Sequence, residues 1–310
     1  MKQSEARIIL VKRKTRLEEM IARYNTILQA RFYIEHLGAD FDDYQEEDLS
    51  YRTSLTVAVQ NLEPFGRVQV IDRELVPNFI FTPTDIVVAV GQDGLVANVL
   101  KYLSKQPLIG VNPDPKRWDG VLLPFTSSEL HAVFTELLHH KRPIKYISLA
   151  KAVLNDGQYL LAVNDLFIGQ RTHTSARYQI QSGNVTEQQS SSGVIISTGL
   201  GYTGWLKSVL AGAVGVANAT TNDPVAIQAE KPSWDANFLY FSVREPYPSC
   251  TTGSSLVFGK VLPEKPLHIR SSMAENGVIF SDGIEHDFLE FNSGIQATIS
   301  VADEVRCLVQ

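Results

Sequence analysis

The chain has 310 residues, a formal net charge of −6, 44% apolar residues and 20% charged residues. A length of this order favours two domains, each with its own apolar core. The balanced and mildly acidic composition argues against nucleic acid as a partner.

The cysteine content and the apolar runs indicate a cellular compartment. The two cysteines, Cys250 and Cys307, are far apart in the chain and have no paired spacing. This pattern favours neither a disulfide framework nor a structural zinc site, and it fits a reducing compartment. The apolar run within residues 1–14 is too short for a signal peptide, and no later run approaches the length of a membrane span. We therefore expect a cytoplasmic protein with no membrane contact.

The first third of the chain alternates strand-like and helix-like patterns. The predicted strands are residues 7–12, 67–71, 86–90 and 107–112, and the predicted helices are residues 15–37, 54–62 and 95–105. A solvated acidic loop is predicted over residues 40–48. The alternation predicts a Rossmann-like α/β domain with a parallel sheet, whose ligands bind at the carboxyl ends of the strands.

A glycine-flanked aspartate follows the most apolar of these strands. Residues 91–94 read Gly91-Gln92-Asp93-Gly94 and lead directly into a predicted helix. Glycines allow the backbone to approach a phosphate closely, and a helix N-terminus offers unpaired N–H groups to it. A carboxylate at this place can hold Mg²⁺ or accept the proton of a hydroxyl. Viewed alone, the segment is a weak signal and is better explained by a helix cap and a structural turn.

After residue 143 the pattern changes to short strands separated by turn signals. A hairpin is predicted over residues 150–163, with the turn at Asn155-Asp156-Gly157. Further strands are predicted at residues 177–182, 194–197, 238–244, 256–261, 267–270, 278–281, 288–291, 297–301 and 305–309. One helix, over residues 203–214, interrupts this series of strands.

That helix begins with a second glycine-rich segment, Gly199-Leu200-Gly201-Tyr202-Thr203-Gly204. The spacing is formally that of a dinucleotide-binding fingerprint, but no second strand with a terminal acidic residue follows it. A glycine-rich ligand loop is the better interpretation. The histidines show no ligand spacing, and neither a Gly-x-Ser-x-Gly elbow nor a Walker sequence is present. We therefore expect no metal held by a protein cage and no serine hydrolase or P-loop chemistry.

Several segments, taken in chain order, resemble the NAD kinase family, and in particular its mitochondrial branch. Residues 91–95 resemble the Gly-Gly-Asp-Gly-Thr loop of the family, and residues 108–115 resemble the strand and asparagine turn that follow it. The pair Asn164-Asp165 resembles the Asn-Glu motif, and residues 197–205 resemble the later glycine-rich loop. Further similar segments are residues 241–246, 281–283 and 303–306.

The resemblance implies a Rossmann-like domain over residues 1–125, a β-sandwich domain over residues 126–310 and a nucleotide site in the crevice between them. It also implies phosphorylation of the 2′-hydroxyl of the adenosine ribose of NAD, with ATP and Mg²⁺, by a homodimer or a higher homo-oligomer. In this interpretation Asp93 activates the hydroxyl. The residues expected to contact nucleotide are Gly91, Gly94, Asn112, Asn164, Asp165, Thr198, Gly201 and Thr203.

Four residues depart from the family pattern on these loops. Gln92 replaces a glycine, Leu95 a threonine, Asp165 a glutamate and Tyr202 a serine. If position 92 requires a positive φ, its side chain costs about 1 kcal/mol or more. Two alternatives therefore stay open: a kinase of the same fold that acts on a lipid or sugar hydroxyl, and a non-catalytic dinucleotide-binding protein.

Overall fold

The computed structural model describes residues 6–222, 224–227 and 229–310. The first five residues, on which the signal-peptide prediction partly rests, lie outside this range. The chain forms two compact units, an N-terminal unit of residues 1–145 and 307–310 and a C-terminal unit of residues 146–306. The predicted division between the domains follows residue 125. In the structure residues 130–138 form a helix whose Leu130, Val133 and Phe134 share the core of the N-terminal unit.

The N-terminal unit is a parallel sheet packed with helices, as predicted. Its strands are β1 (Ala6–Lys12), β2 (Gly66–Asp72), β3 (Ile86–Val90) and β4 (Pro107–Val111). They lie in the order β2-β1-β3-β4, all parallel, and Cys307 and Leu308 extend the sheet beside β4. The helices are α1 (Arg16–Tyr24), α2 (Ile27–His36), α3 (Phe41–Leu62), α4 (Asp93–Tyr102) and α5 (Leu130–Leu138). The apolar runs of β1 and β3 are fully buried, which explains their lack of alternation.

Two predictions for this unit were wrong. The single helix over residues 15–37 is two helices, because Asn25 adopts a left-handed conformation with φ of 67° and Thr26 caps the second helix. The acidic loop over residues 40–48 is the start of α3. Asp40 caps that helix and its first turn is acidic, which favours a helix N-terminus electrostatically.

The C-terminal unit is a β-sandwich with one long helix, as predicted. Its strands are β5 (Ile144–Leu154), β6 (Tyr159–Ala162), β7 (Asp165–Gln170), β8 (Ala176–Ser182), β9 (Val185–Ser191), β10 (Val194–Ser197), β11 (Leu239–Val243), β12 (Phe258–Val261), β13 (Leu267–Ser271), β14 (Gly277–Ser281), β15 (Ile284–Glu290) and β16 (Gln296–Val309). The helix is α6 (Trp205–Thr220).

The strands of this unit form two layers over one core. One layer has the order β16-β13-β8-β9, joined by the β5–β6 hairpin, and the other has the antiparallel order β12-β11-β10-β7-β14-β15. Both layers contribute to the same apolar cluster, for example Ile180 and Ile269 from the first and Leu166, Ile168 and Ile196 from the second. Two adjacent predicted strands, residues 297–301 and 305–309, are one strand, β16. Strands β7 and β9 were missed, β9 because its sequence is almost entirely polar.

Candidate functional site

The predicted phosphate loop begins where β3 ends. All five residues of β3 are buried, and the Gly91 N–H donates to the Val111 carbonyl oxygen on the neighbouring strand at 3.1 Å. Gln92 caps α4 with an extended backbone, at φ of −113° and ψ of 164°. Position 92 therefore does not require a positive φ, and the conformational penalty considered for Gln92 does not arise.

Asp93 is the first residue of α4, and its carboxylate is held by the loop that follows β4. Its Oδ1 accepts a hydrogen bond from the Leu122 N–H at 2.7 Å, and its Oδ2 accepts one from the Val121 N–H at 3.2 Å. A carboxylate oxygen accepts more than one hydrogen bond, so both oxygens retain capacity for a ligand. The position also favours negative charge, because it lies at the positive end of the helix dipole.

The two glycines of this loop differ in what surrounds them. A Cβ at Gly91 would lie 2.8 Å from the Leu95 side chain, so internal packing explains this glycine. A Cβ at Gly94 would meet no atom within 4 Å, although Gly94 lies inside the first turn of a helix. Glycine is unfavourable there by about 0.5–1 kcal/mol relative to alanine. No described atom packs against this position, so a ligand could use the space.

Asn112 holds the same loop from its other end. Its Nδ2 donates to the Trp118 carbonyl oxygen at 2.8 Å, and its Oδ1 accepts from the Asp114 N–H at 3.0 Å. The side chain is buried, so these bonds occupy the polar atoms that were predicted to contact a dinucleotide. Asn112 and Asp93 together close the loop of residues 112–122.

A charged cluster that the sequence analysis missed lies beside this loop. The Arg13 guanidinium donates to the buried carboxylate of Glu47, to which Arg16 also donates. Burial works to raise the pKa of Glu47, but the Arg16 and Arg13 guanidiniums outweigh it and hold that pKa below its usual range. The Arg13 side chain passes the phosphate loop, since its Cδ lies 3.6 Å from a Cβ built at Gly91. The basic run Lys12-Arg13-Lys14 at the end of β1 was the available signal.

In the C-terminal unit, Thr198 connects the second glycine-rich loop to the start of β7. Its buried hydroxyl donates to the Val163 carbonyl oxygen at 2.6 Å and accepts from the Gly201 N–H at 3.1 Å. A Cβ at Gly201 would lie 2.0 Å from the Asn164 carbonyl oxygen. Thr198 and Gly201 therefore hold the glycine-rich loop against the backbone of residues 163 and 164.

Asp165 is the most perturbed carboxyl group at these positions. It is only 8% exposed and lies beside Asp282, whose carboxylate accepts the N–H groups of Val163 and Asn164 at 3.1 Å and 2.7 Å. Burial, and secondarily the negative charge of Asp282, raises the pKa of Asp165 to about 7. Because backbone donors stabilise the charge on Asp282, Asp165 is the member of the pair that takes up the proton.

Two further polar groups near Asp165 are available to a ligand. Thr203 is exposed in the turn before α6, and Asn164 is partly exposed. Among the described residues, no hydrogen bond involves the Thr203 hydroxyl or the Asn164 side-chain amide. Tyr202, the bulky departure from the family pattern, lies with its ring centroid 6.0 Å from that of Tyr240.

The donor atoms do not form a metal cage in either unit. Over the described ranges, no group of three or more His, Cys, Asp or Glu side chains is placed to hold a metal ion. Mg²⁺ in phosphoryl-transfer sites is commonly held by one or two carboxylates together with substrate phosphates and water. The carboxylate of Asp93 fits a divalent ion that is carried by a nucleotide. Across the same ranges, no helix combines the length and the apolar composition that a membrane crossing requires.

Comparison with known proteins identifies the fold. No protein-family model and no curated protein sequence matches the chain. Among solved structures, an NAD kinase from Archaeoglobus fulgidus in complex with ATP matches with a TM-score of 0.58 and 14% identity, over 98% of this chain and 93% of that chain. The yeast NADH kinase complexed with NADH matches with a TM-score of 0.62 and 13% identity, over 99% of this chain and 84% of that chain. The chain therefore has the two-domain fold of these kinases, with a Rossmann-like N-terminal part and a β-sandwich C-terminal part.

Proposed function

We propose that this protein is an NAD kinase-like phosphotransferase that moves the γ-phosphoryl group of ATP to the 2′-hydroxyl of the adenosine ribose of NAD. The observation that best supports this function is the position of Asp93. Its carboxylate lies in the first turn of a helix, next to a glycine whose side-chain position is open. The likeness to structures bound to ATP and to NADH supports the nucleotide class. Membership of the mitochondrial branch is part of the proposal and rests on the sequence resemblance.

In the proposed reaction Asp93 accepts the proton of the 2′-hydroxyl. The ribose oxygen forms a bond to the γ-phosphorus, the bond from that phosphorus to the ADP oxygen breaks, and ADP leaves. A positioned general base contributes roughly 10²–10⁴-fold to a rate. The Val121 and Leu122 N–H groups orient the carboxylate for this role, and the space at Gly94 admits the phosphate. A divalent ion bound to ATP would neutralise charge on its phosphates.

The C-terminal unit would supply the dinucleotide contacts. Asp165 in its charged form accepts hydrogen bonds from ribose hydroxyls, while the Asn164 amide and the Thr203 hydroxyl remain available to the adenine end. Thr198 and Gly201 place these groups without touching the ligand. In this proposal Asn112 acts as a positioning residue, because its amide is occupied by the loop that orients Asp93.

A second candidate is a non-catalytic dinucleotide-binding protein. The observation that favours it is the engagement of both Asp93 oxygens by backbone N–H groups, which would give the carboxylate a purely structural role. Such a protein would be stabilised against heat by NAD or NADP because a ligand that binds only the native state shifts the unfolding equilibrium. It would transfer no phosphate.

The deciding experiment is NADP production by the purified full chain from NAD, ATP and Mg²⁺. Asp93→Asn should reduce the rate by at least about 10²-fold with the fold intact, because the amide cannot accept the proton. The matched control is Asp119→Asn, an exposed carboxylate in the same loop region that should retain full activity. Equal activity of wild type and Asp93→Asn would show that Asp93 is not the base. NAD-dependent thermal stabilisation without NADP would favour the second candidate.

A further inference from the structure

A cavity of about 370 Å³ lies within the C-terminal unit, and none of the candidate site residues lines it. It opens on the face of the six-stranded sheet that points away from the sandwich core. On β7, Leu166 and Ile168 belong to the core cluster, whereas Phe167 between them lines the cavity.

Glycines on adjacent strands make room for the floor of this cavity. Val194 on β10 pairs with Ile168 on one side and Val243 on the other, so Gly193 lies between Gly169 and Arg244. A Cβ at either Gly169 or Gly193 would come within 2.7 Å of the Phe167 ring. The ring therefore lies directly over glycine backbone, and Gly193 adopts a φ of 106° that favours glycine.

A row of stacked side chains holds one cationic group of the cavity in place. The Phe167 ring stacks on Phe280 at 4.8 Å and on Trp205 at 5.7 Å between ring centroids. The Arg244 guanidinium lies 5.4 Å from the centroid of the Trp205 ring. Cation–π contact of this kind restricts the guanidinium in advance of any binding and lowers the entropy cost of using it.

The cavity has a positive charge in a chain whose net charge is −6. Two arginines, Arg171 and Arg244, line it against a single carboxylate, Glu245, which stands 3.8 Å from Arg244. The Arg171 guanidinium lies 4.8 Å from the Phe288 ring centroid, and it has no ion-pair partner in the part of the chain that the structure describes. Arg171, which has no such partner, and Arg244, whose carboxylate contact is the 3.8 Å one to Glu245, face one concave site. A pair of guanidiniums in such a site is suited to an anion, above all a phosphate.

Hydroxyl groups complete the set of donors. Ser192, Thr172 and Thr174 line the same cavity and are exposed to solvent. The Ser192 and Arg244 backbones are tied together, because the Ser192 N–H donates to the Arg244 carbonyl oxygen and the Arg244 N–H donates to the Gly193 carbonyl oxygen. Ser192 and Arg244 are therefore held by the sheet, whereas Thr172 and Thr174 lie in the turn after β7, where their hydroxyls are 3.1 Å apart.

We propose that this cavity is a second ligand site, which binds a phosphate dianion carried by a small phosphomonoester. Its volume stands near the lower end of the roughly 300–1,000 Å³ typical of small-molecule sites. That volume suits one phosphate with one attached sugar or ring, and is too small for a whole dinucleotide. The proposal is independent of the phosphotransferase activity.

The test is isothermal titration calorimetry on the full chain with inorganic phosphate, AMP and adenosine. Inorganic phosphate and AMP are expected to bind and adenosine to bind far more weakly. Arg171→Gln and Arg244→Gln should each weaken binding of both phosphate probes about tenfold, the effect of one lost hydrogen bond to a charged group. Arg270→Gln, an exposed arginine on β13 of the same unit, is the control and should bind as wild type does.

If the Arg244→Gln variant is unstable, the Arg171→Gln variant still decides the test. The Arg171 side chain is exposed, so the thermal unfolding of this variant should match that of the wild type. Tighter binding of inorganic phosphate than of AMP would assign the site to the free ion, and the reverse order to the phosphomonoester. If phosphate binds only at the loop of residues 91–94, the Arg171→Gln variant will bind it as tightly as the wild type does. This result would overturn the proposal. Equal binding of AMP and adenosine, or no binding of either phosphate probe at millimolar concentration, would do the same.

Discussion

The two glycine-rich loops of this protein use the same residue types for opposite purposes. In the loop of the C-terminal unit, a Cβ at Gly199 or Gly201 would lie within 2.0 Å of a backbone oxygen, so the glycines permit close packing of the chain on itself. In the loop of the N-terminal unit, a Cβ at Gly94 would meet nothing within 4 Å. Gly94 differs from Gly212, another open helical glycine, because it lies beside the candidate carboxylate Asp93, and this combination indicates a ligand.

The aspartates of the two regions differ in the opposite sense. Asp93 has a backbone N–H on each carboxylate oxygen. Asp165 is buried beside a second carboxylate, and no hydrogen bond to its side chain is found among the described residues. In the N-terminal unit, backbone N–H groups thus satisfy the hydrogen-bonding capacity of Asp93. In the C-terminal unit, the burial of Asp165 without a hydrogen-bond donor costs free energy, and a ligand hydroxyl can relieve this cost.

The largest expected effect on stability is that of Asp165→Asn. An unfolded aspartate has a pKa of about 3.9, and the folded pKa is about 7. Between these values the unfolded chain releases a proton that the folded chain keeps, so Asp165 lowers stability as pH rises from 4 to 7. A shift of about three units corresponds to about 4 kcal/mol. We expect Asp165→Asn to raise the free energy of unfolding in urea by up to this amount at pH 8 and to have little effect near pH 4.

The exposed Asp303→Asn is the control for this pH dependence. As an exposed substitution, it should change the free energy of unfolding by no more than about 0.5 kcal/mol at either pH value. An Asp165→Asn difference that is the same at pH 4 and pH 8 would show that folding does not raise the pKa of Asp165, and the contrast with Asp93 would be lost.

Gly201→Ala is expected to have the next largest effect. The added Cβ would stand 2.0 Å from the Asn164 carbonyl oxygen, so the backbone of both loops must move. Overpacking of this kind costs about 1–3 kcal/mol, measurable as a lower urea midpoint. Gly212→Ala, at an open position inside α6, should leave stability unchanged or higher. Equal effects at the two positions would contradict the packing role of Gly201.

Asp93→Asn should have a smaller effect on stability. The substituted amide keeps one acceptor oxygen but turns an NH₂ group toward one of the two N–H groups of residues 121 and 122. Loss of that hydrogen bond costs about 1–2 kcal/mol in the free energy of unfolding. Asp119→Asn should cost almost nothing. If Asp93→Asn is as stable as wild type, the two hydrogen bonds do not hold the loop.

Gly94→Ala should have the smallest effect on stability, and it should stabilise the protein, whereas Gly201→Ala and Asp93→Asn destabilise it. Alanine in the first turn of α4 is expected to raise the free energy of unfolding by about 0.5–1 kcal/mol. The same variant should lose NADP formation, since the methyl group occupies the space proposed for phosphate. A stabilised variant with undiminished activity would show that no ligand uses this space.

The sequence supported the architecture more fully than the local boundaries. Buried strands such as Ile86–Val90 and the change from helix–strand alternation to short strands predicted both halves of the fold. The acidic start of α3 was misjudged because Glu47 is neutralised by Arg13 and Arg16, which lie more than 30 residues away in sequence. The polar strand β9 was missed because its side chains have no apolar alternation to detect.

The sequence by itself determined the positions of the loops, because each loop begins where an apolar run ends and glycines follow. Only the tertiary structure decided which polar groups are already occupied. Asp93 meets the N–H groups of residues 121 and 122, and Asp165 lies beside Asp282, which is 117 residues further along the chain. Such contacts depend on strand register and on loop closure between distant segments, and these arise from packing that no local pattern encodes.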